Sequence, residues 1–179
     1  PDKSQKMHEG VWNKSAVGSY EIRGKKLGII GYGNIGSQLS ILAEAAGMKV
    51  YYYDLEEKLA LGNATKCFTM EELLSTVDVV TLHVDGRKEN YNIIGEKEFA
   101  LMKPGTIFLN LSRGHVVDIA ALKKAIENKT IAGCGVDVFP VEPKSNQDPF
   151  ESELRGLPNV ILTPHIGGST KEAQENIAG

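Results

Sequence analysis

The chain has 179 residues, 41% of them hydrophobic and 24% charged, with a formal net charge of -3. That length supports one sizeable domain, or one and a fragment. The charge balance gives no reason to expect nucleic acid or an anionic membrane as partner, and no apolar run approaches the ~20 residues that a bilayer-spanning helix needs.

Residues 1–24 are polar and lack a clear period, with Trp12, Val17, Tyr20 and Ile22 spread along them. They read as an extended arm and linker, either crossing a surface at a subunit contact or folded onto their own domain. The opening PDKSQKMHEG is not a signal peptide. Pro1 at one end and a last helix stopping at Gly179 lead to the expectation of a piece of a longer chain.

Lys26 to Asp54 carries the densest information: KLGIIGYGNIGSQLSILAEAAGMKVYYYD. Leu27, Ile29 and Ile30 read as a buried strand entering Gly31-Tyr32-Gly33-Asn34-Ile35-Gly36. An amphipathic helix follows, with Ile35, Leu39, Leu42 and Ala46 on one face. Lys49 to Tyr53 reads as a second strand, ending on Asp54. Strand, glycine turn, helix, strand and acid within one βαβ unit is the pattern of a dinucleotide site. Gly31 permits the tight turn, Gly33 lets the backbone approach a pyrophosphate, and Gly36 lets the helix pack close to the strand. The helix N-terminus offers free N–H groups and a positive dipole end. Asp54 stands where an acid accepts both ribose hydroxyls of an adenosine. Glu56 and Glu57 follow it, with no Arg or Lys until Lys58, so NAD is expected over NADP. The competing reading is an α/β fold whose glycine turn binds nothing.

Further on, Thr69-Met70-Glu71-Glu72 is a capping box that opens a short helix. Asp78 to His83 is a third strand. Glu96 to Met102 is a short helix stopped by Lys103-Pro104-Gly105, and Thr106 to Asn110 is a fourth strand. Asp118 caps a helix running to about Asn128, with Ile119, Leu122 and Ile126 on one face. Ala132 to Val138 and Asn159 to Thr163 are the fifth and sixth strands. Ser169 to Glu172 is another capping box, opening the last helix. Tyr51, Tyr52 and Tyr53 are strand packing. Cys67 and Cys134 form no metal-spaced motif; they read as reduced cytosolic thiols, so no metal and a cytoplasmic location are expected. Strand–helix alternation of this kind needs right-handed crossovers. The expected fold is α/β: a Rossmann-type doubly wound parallel sheet, a single nucleotide-binding domain over residues 25–179.

In such sheets ligands sit beyond the carboxyl ends of the strands. The third strand ends His83-Val84-Asp85-Gly86, the fourth Asn110-Leu111-Ser112-Arg113-Gly114, and the fifth Asp137 with Glu142 close behind. The sixth ends Thr163-Pro164-His165-Ile166-Gly167-Gly168. Hydride transfer from a hydroxy acid to a nicotinamide needs a base for the hydroxyl proton and a cation for the carboxylate. His165 can be the base, Glu142 can fix its tautomer, and Arg113 offers a bidentate fork. Asp137 can bond the nicotinamide amide or sit under the ring as a dipole. The bland alternatives are a structural histidine, a loop acid at Glu142, and an Arg113 paired with Asp118. His83 lines the cofactor groove, His8 lies in the polar arm, and His115 points at no obvious partner.

GYGNIG with Asp54, Ser112-Arg113-Gly114 with Val116-Val117-Asp118, Gly135-Val136-Asp137-Val138-Phe139 with Glu142-Pro143, and Thr163 to Gly168 together resemble the D-isomer-specific 2-hydroxyacid dehydrogenases. The resemblance covers nearly the whole chain. It implies an NAD-dependent oxidoreductase in which Arg113 holds the substrate carboxylate, His165 is the acid/base and Glu142 its partner. It places cofactor contacts at Asn34 and Ile35, at Asp54, at Leu111, Ser112 and Arg113, at Asp137, and at His165 to Gly168. It also implies a homodimer or homotetramer formed through this domain, in keeping with an arm that carries Trp12. Within the family, PHIGGSTKEAQENIAG and FPVEPKSNQDPFESEL are similar to the branch that oxidises 3-phosphoglycerate, the first step of L-serine biosynthesis. The alternatives are a dehydrogenase of glycerate, lactate or another 2-hydroxy acid, and a non-catalytic NAD-sensing corepressor.

Two departures stand out. Where many relatives have a proline after His83-Val84, this chain has Asp85-Gly86, so the adenine-side loop is expected to differ and Asp85 to repel a phosphate. The family's substrate domain, and the regulatory domain common in that branch, are not recognisable in these residues. The chain is therefore expected to bind NAD but to turn over slowly or not at all.

Overall fold

A computed structural model describes residues 2–178. The helices are α1 (Asp2–His8), α2 (Asn34–Ala45), α3 (Met70–Thr76), α4 (Glu96–Leu101), α5 (Ile119–Glu127) and α6 (Lys171–Ala178). The strands are β1 (Lys26–Ile30), β2 (Lys49–Tyr53), β3 (Thr65–Lys66), β4 (Val79–Leu82), β5 (Ile107–Asn110), β6 (Gly133–Val136) and β7 (Val160–Leu162). They form one parallel sheet in the order β3-β2-β1-β4-β5-β6-β7. The chain runs outward from β1 in one direction, then returns to β4 on its other side. The order therefore reverses between β1 and β4, and a crevice opens there beyond the carboxyl ends.

The expected doubly wound sheet is present, with one strand more than the sequence shows. β3 is only two residues long and has no alternating pattern to read. It pairs with β2 through Tyr51–Thr65 and Tyr52–Lys66. The other strands fall inside their expected spans. Asp78 is not part of β4 but ties it to β1. Its carboxylate accepts the Lys26 N–H at 2.8 Å and Lys103 Nζ at 2.8 Å.

The sheet is covered on both faces. Leu27, Ile29, Val50 and Tyr52 pack under α2 with Tyr32 and Ala43. The larger core holds Val80, Leu82, Phe108 and Val136 from the strands with Leu73, Leu74, Phe99 and Leu122 from α3, α4 and α5. Of the three consecutive tyrosines, Tyr52 is buried; it stacks on Tyr32 with ring centroids 3.9 Å apart and donates its hydroxyl to the Lys58 carbonyl.

Three local readings need correction. The α2 face against the sheet is Gly36, Ser40 and Ala43, with Leu39 half-buried, whereas Ile35 and Leu42 are 70% and 67% exposed. Gly36 sits so close to the Gly31 carbonyl that the helix must turn its small residues inward. Ser40 is tolerated there because the Tyr32 hydroxyl donates to it at 3.0 Å. Second, the arm is not extended throughout. Asp2–His8 is helical, with Asp2 paired to Lys6 at 3.4 Å. That helix ends in a Schellman turn, in which Val11 N–H bonds the Lys6 carbonyl around Gly10 at φ 81°. Third, α6 is capped by Thr170, whose Oγ1 accepts the Ala173 N–H, and not by Ser169. Thr69 and Asp118 cap their helices as read, though Glu72 closes back one residue earlier than a capping box requires. Thr69 accepts the Glu72 N–H at 3.1 Å and Asp118 the Ala121 N–H at 3.3 Å. Glu72 reaches back to the N–H of Phe68.

Candidate functional site

The switch-point crevice is a cleft of about 540 Å³. Gly31, Gly33, Asn34, Asp54 and His83 line it, with Val84, Asp85 and Arg87 from the loop after β4. Gly31 has φ 94° and a Cβ there would overlap the His83 carbonyl, so the turn between β1 and α2 admits no side chain. Nothing lies within 4 Å of a Cβ built on Gly33. Gly33 also caps α2 without a side-chain hydrogen bond, which leaves the first-turn N–H groups without a side-chain acceptor. Open ground in front of a bare helix N-terminus fits a pyrophosphate.

Asp54 hangs at the other wall. One carboxylate oxygen accepts the Tyr32 N–H at 2.7 Å and the other the Glu56 N–H at 2.9 Å. Each oxygen keeps a second lone pair for a ribose hydroxyl. His83 is half-buried, its Nε2 is 3.0 Å from the Thr81 hydroxyl, and burial pushes its pKa below the ordinary 6.5, so it lines the cleft as a neutral ring. Ile35 is solvent-exposed and its side chain does not line this cleft.

The remaining expected residues gather at the ends of β5, β6 and β7. Asn110 staples the first of these turns. Its Oδ1 accepts from the Ser112 N–H and hydroxyl, and its Nδ2 donates to the Arg113 carbonyl at 3.0 Å. Ser112 is buried, while Leu111 and Arg113 point outward. Arg113 donates to the Ser112 carbonyl at 2.8 Å. Its alternative partner Asp118 is occupied in capping α5. Gly114 runs so close to the backbone of Phe139 and Pro140 that a Cβ would overlap it. The turn bearing Arg113 is thereby pressed against the loop bearing Glu142.

Glu142 Oε1 accepts the Phe139 N–H at 3.1 Å, which aims Oε2 at His165 Nδ1, 2.9 Å away. Burial pushes the Glu142 carboxyl up, but the His165 and Phe139 bonds outweigh it and hold the group below the usual carboxylate range. His165 itself has φ 54°, an uncommon left-handed backbone for a non-glycine residue. Asp137 clamps that bend from both sides. Its carboxylate accepts the Thr163 hydroxyl at 2.6 Å, the Ile166 N–H at 2.9 Å and the Gly167 N–H at 3.2 Å. Burial raises Asp137, but these three donors more than offset it and its pKa is lowered. Gly168 follows on the exposed side of the same turn and its carbonyl accepts from Gln174. A second cleft, of about 530 Å³, opens beside Glu142 and His165, between Phe139, Pro143 and Phe150.

With Nδ1 bonded to Glu142, the His165 ring has Nε2 left to accept a proton. Arg113 has a fork free for a carboxylate. The arrangement suits removal of a hydroxyl proton from a bound hydroxy acid.

One expectation fails in the loops around the site: His115 does have partners, since its Nε2 is 3.2 Å from the Gly86 carbonyl and its ring stacks near Tyr91. Asp85 lines the cleft but is paired, with Arg87 Nε 2.8 Å from it. Asn110 carries no sequence signal of its role: a polar residue at a strand end reads as ordinary until its three bonds are placed.

Residues 1–167 match the family model for the NAD binding domain of D-isomer specific 2-hydroxyacid dehydrogenase. The chain belongs to this family. It is 59% identical over 177 residues to D-3-phosphoglycerate dehydrogenase of Escherichia coli K12, a match that spans 99% of this chain and 43% of that protein. It is 50% identical over 184 residues to D-3-phosphoglycerate dehydrogenase 1 of Saccharomyces cerevisiae, spanning 98% and 39%. The chain thus spans less than half the length of these relatives. Among solved structures it superposes on a D-lactate dehydrogenase from a Sporolactobacillus species with a TM-score of 0.86 at 37% identity, covering 99% of this chain and 56% of that one. The D-lactate dehydrogenase of Lactobacillus jensenii, solved with NAD+, gives 0.84 at 33%, covering 98% and 56%. As a D-2-hydroxyacid dehydrogenase NAD-binding domain, the chain takes NAD as its cofactor. Among the described residues no helix is long and apolar enough to cross a membrane.

Proposed function

We propose that this chain is the NAD-binding domain of a D-3-phosphoglycerate dehydrogenase, which oxidises 3-phosphoglycerate to 3-phosphohydroxypyruvate at the head of L-serine biosynthesis. The observation that carries the reading is the His165–Glu142 pair, 2.9 Å apart on a bend clamped by Asp137. NAD-sensing alone has no use for a proton-transfer pair, which argues against a corepressor. Identities of 59% and 50% to phosphoglycerate dehydrogenases, against 37% and 33% to the lactate enzymes, favour the phosphorylated substrate.

Arg113 grips the substrate carboxylate. His165 Nε2 takes the proton from the C2 hydroxyl, and Glu142 steadies the imidazolium that results. NAD, when bound, would supply the acceptor for the C2 hydride. Gly31, Gly33, Asn34 and Asp54 would hold its adenosine and pyrophosphate, and the turns at 111–113 and 165–168 would serve its nicotinamide half. Residues 25–179 form this domain and 1–24 the arm. The residues that grip the substrate phosphate belong to a separate substrate domain.

The arm supports a homodimer or homotetramer. Trp12, Val17 and Tyr20 are 76%, 91% and 84% exposed, too much apolar surface to suit an arm folded onto its own domain. A cytoplasmic location suits two free buried thiols, Cys67 and Cys134, whose pKa burial raises to about 11. The test is substrate profiling of the full-length protein with NAD. Preference for 3-phosphoglycerate over glycerate and lactate supports the reading, and preference for lactate overturns it.

A further inference from the structure

The adenine-side mouth of the cofactor cleft holds a cation pair that sequence order conceals. Arg87 lies well beyond the β2 strand end, and Lys58 reads as too far along the loop to matter. In the fold both meet at Glu56. Lys58 Nζ is 3.3 Å from Glu56 Oε2, and Arg87 Nη2 is 3.8 Å from Glu56 Oε1. All three residues line the same cleft as Asp54.

The geometry around Arg87 is directional. Its Nε edge is fixed by Asp85 at 2.8 Å. Asp85 in turn is held by the Arg87 N–H at 3.1 Å and by Asn90 Nδ2 at 3.0 Å. What remains of the guanidinium, its Nη side, is the part turned to Glu56. The Glu56 N–H is bonded to Asp54, so its carboxylate starts from the turn that faces the adenosine ribose. Neighbouring Glu57 takes no part; it pairs outward with Lys66 at 2.6 Å.

An arginine fork and a lysine converging on one point are the donors that proteins present to a phosphate, and here that point is taken by the Glu56 carboxylate. We propose that Glu56 is a specificity-determining residue for the cofactor: its carboxylate occupies Arg87 and Lys58, the pair that would otherwise bind the 2′-phosphate of NADP. Selection then has two parts. Asp54 takes the ribose hydroxyls, and Glu56 takes the cations. This rests on NAD occupying the cleft as described above.

The experiment is parallel fluorescence titration with NADH and NADPH of the wild-type chain, of Glu56→Gln and of Glu56→Gln combined with Lys58→Met and Arg87→Met. Glu56→Gln is expected to tighten NADPH about tenfold, since it removes the carboxylate that pairs with both cations, while NADH changes less than about twofold. The triple variant is expected to lose that gain. An unchanged NADPH-to-NADH ratio in Glu56→Gln overturns the proposal. So does a gain that survives in the triple variant, because relief of repulsion alone then explains it. A wild-type chain that fails to bind NADH overturns the cofactor site itself, and that outcome is distinct from either of the others.

Discussion

His165 Nδ1 lies 2.9 Å from Glu142 Oε2, a contact between two loops whose residues are 23 apart in the chain. The pair is preset by backbone. Phe139 N–H orients the acid and the left-handed turn at residue 165 orients the ring. Under the proposed function, Glu142→Gln in the full-length protein would keep the shape but remove the charge proposed to steady a protonated His165 ring. Turnover should fall by about 10²-fold with NAD affinity preserved. Steady-state kinetics beside an NADH titration checks this, and loss of cofactor binding in step with turnover would point instead to a collapsed loop.

Asp137 should prove a stability residue as much as a site residue. The residue is 4% exposed and its carboxylate accepts three donors. Asp137→Asn swaps one accepting oxygen for a donor facing them, at a cost of about 2 kcal/mol in urea unfolding. The pH dependence follows from the same bonds. Asp78, Asp137 and Glu142 titrate in the folded chain below their ordinary values of 3.8, 3.8 and 4.5; burial opposes this in each case and is outweighed by their donors. A depressed carboxyl contributes its stability in full above its unfolded pKa and loses it as pH falls through the folded one. Stability should therefore hold down to about pH 5 and drop below it, with a shallower drop in Asp137→Asn.

Gly114→Ala tests the contact between the Arg113 turn and the Phe139 loop. The added methyl has no room against the Phe139 carbonyl, and neither partner is a flexible side-chain end. Unfolding should show a loss of about 3 kcal/mol. A neutral result would mean that the two loops are not packed as described.

Lys129 offers the opposite sign. It ends α5 at φ 56°, where Thr130 N–H bonds the Ala125 carbonyl and Lys129 N–H the Ile126 carbonyl. That is a Schellman turn with a side chain at the position glycine favours. Lys129→Gly should raise stability by about 0.5–1 kcal/mol in thermal melts, with NADH binding unaffected.

The glycine turn, the place of Asp54 at a strand end and the gathering of His165, Glu142 and Asp137 at neighbouring strand ends were legible because each depends on local pattern: a period of apolar residues, a glycine where a chain must turn, an acid at a strand end. Two of the three side-chain caps, Thr69 and Asp118, were legible for the same reason. What escaped depends on contacts between distant segments. The two-residue β3 has no pattern of its own. The inward face of α2 is set by the approach of Gly36 to Gly31, which overrides the apolar period of Ile35 and Leu42. The clamp that Asp137 makes on the bend at residues 163–167, and the meeting of Arg87 with Glu56, join segments far apart in the chain.

The most direct test of the whole account is a fluorescence titration of the 179-residue chain with NADH, with NADPH in parallel and Asp54→Ala as control. Saturable NADH binding, clear preference over NADPH, and a loss of about tenfold or more in the control are expected. Equal affinity for the two cofactors, or an Asp54→Ala chain that binds NADH as well as the wild type, would contradict it.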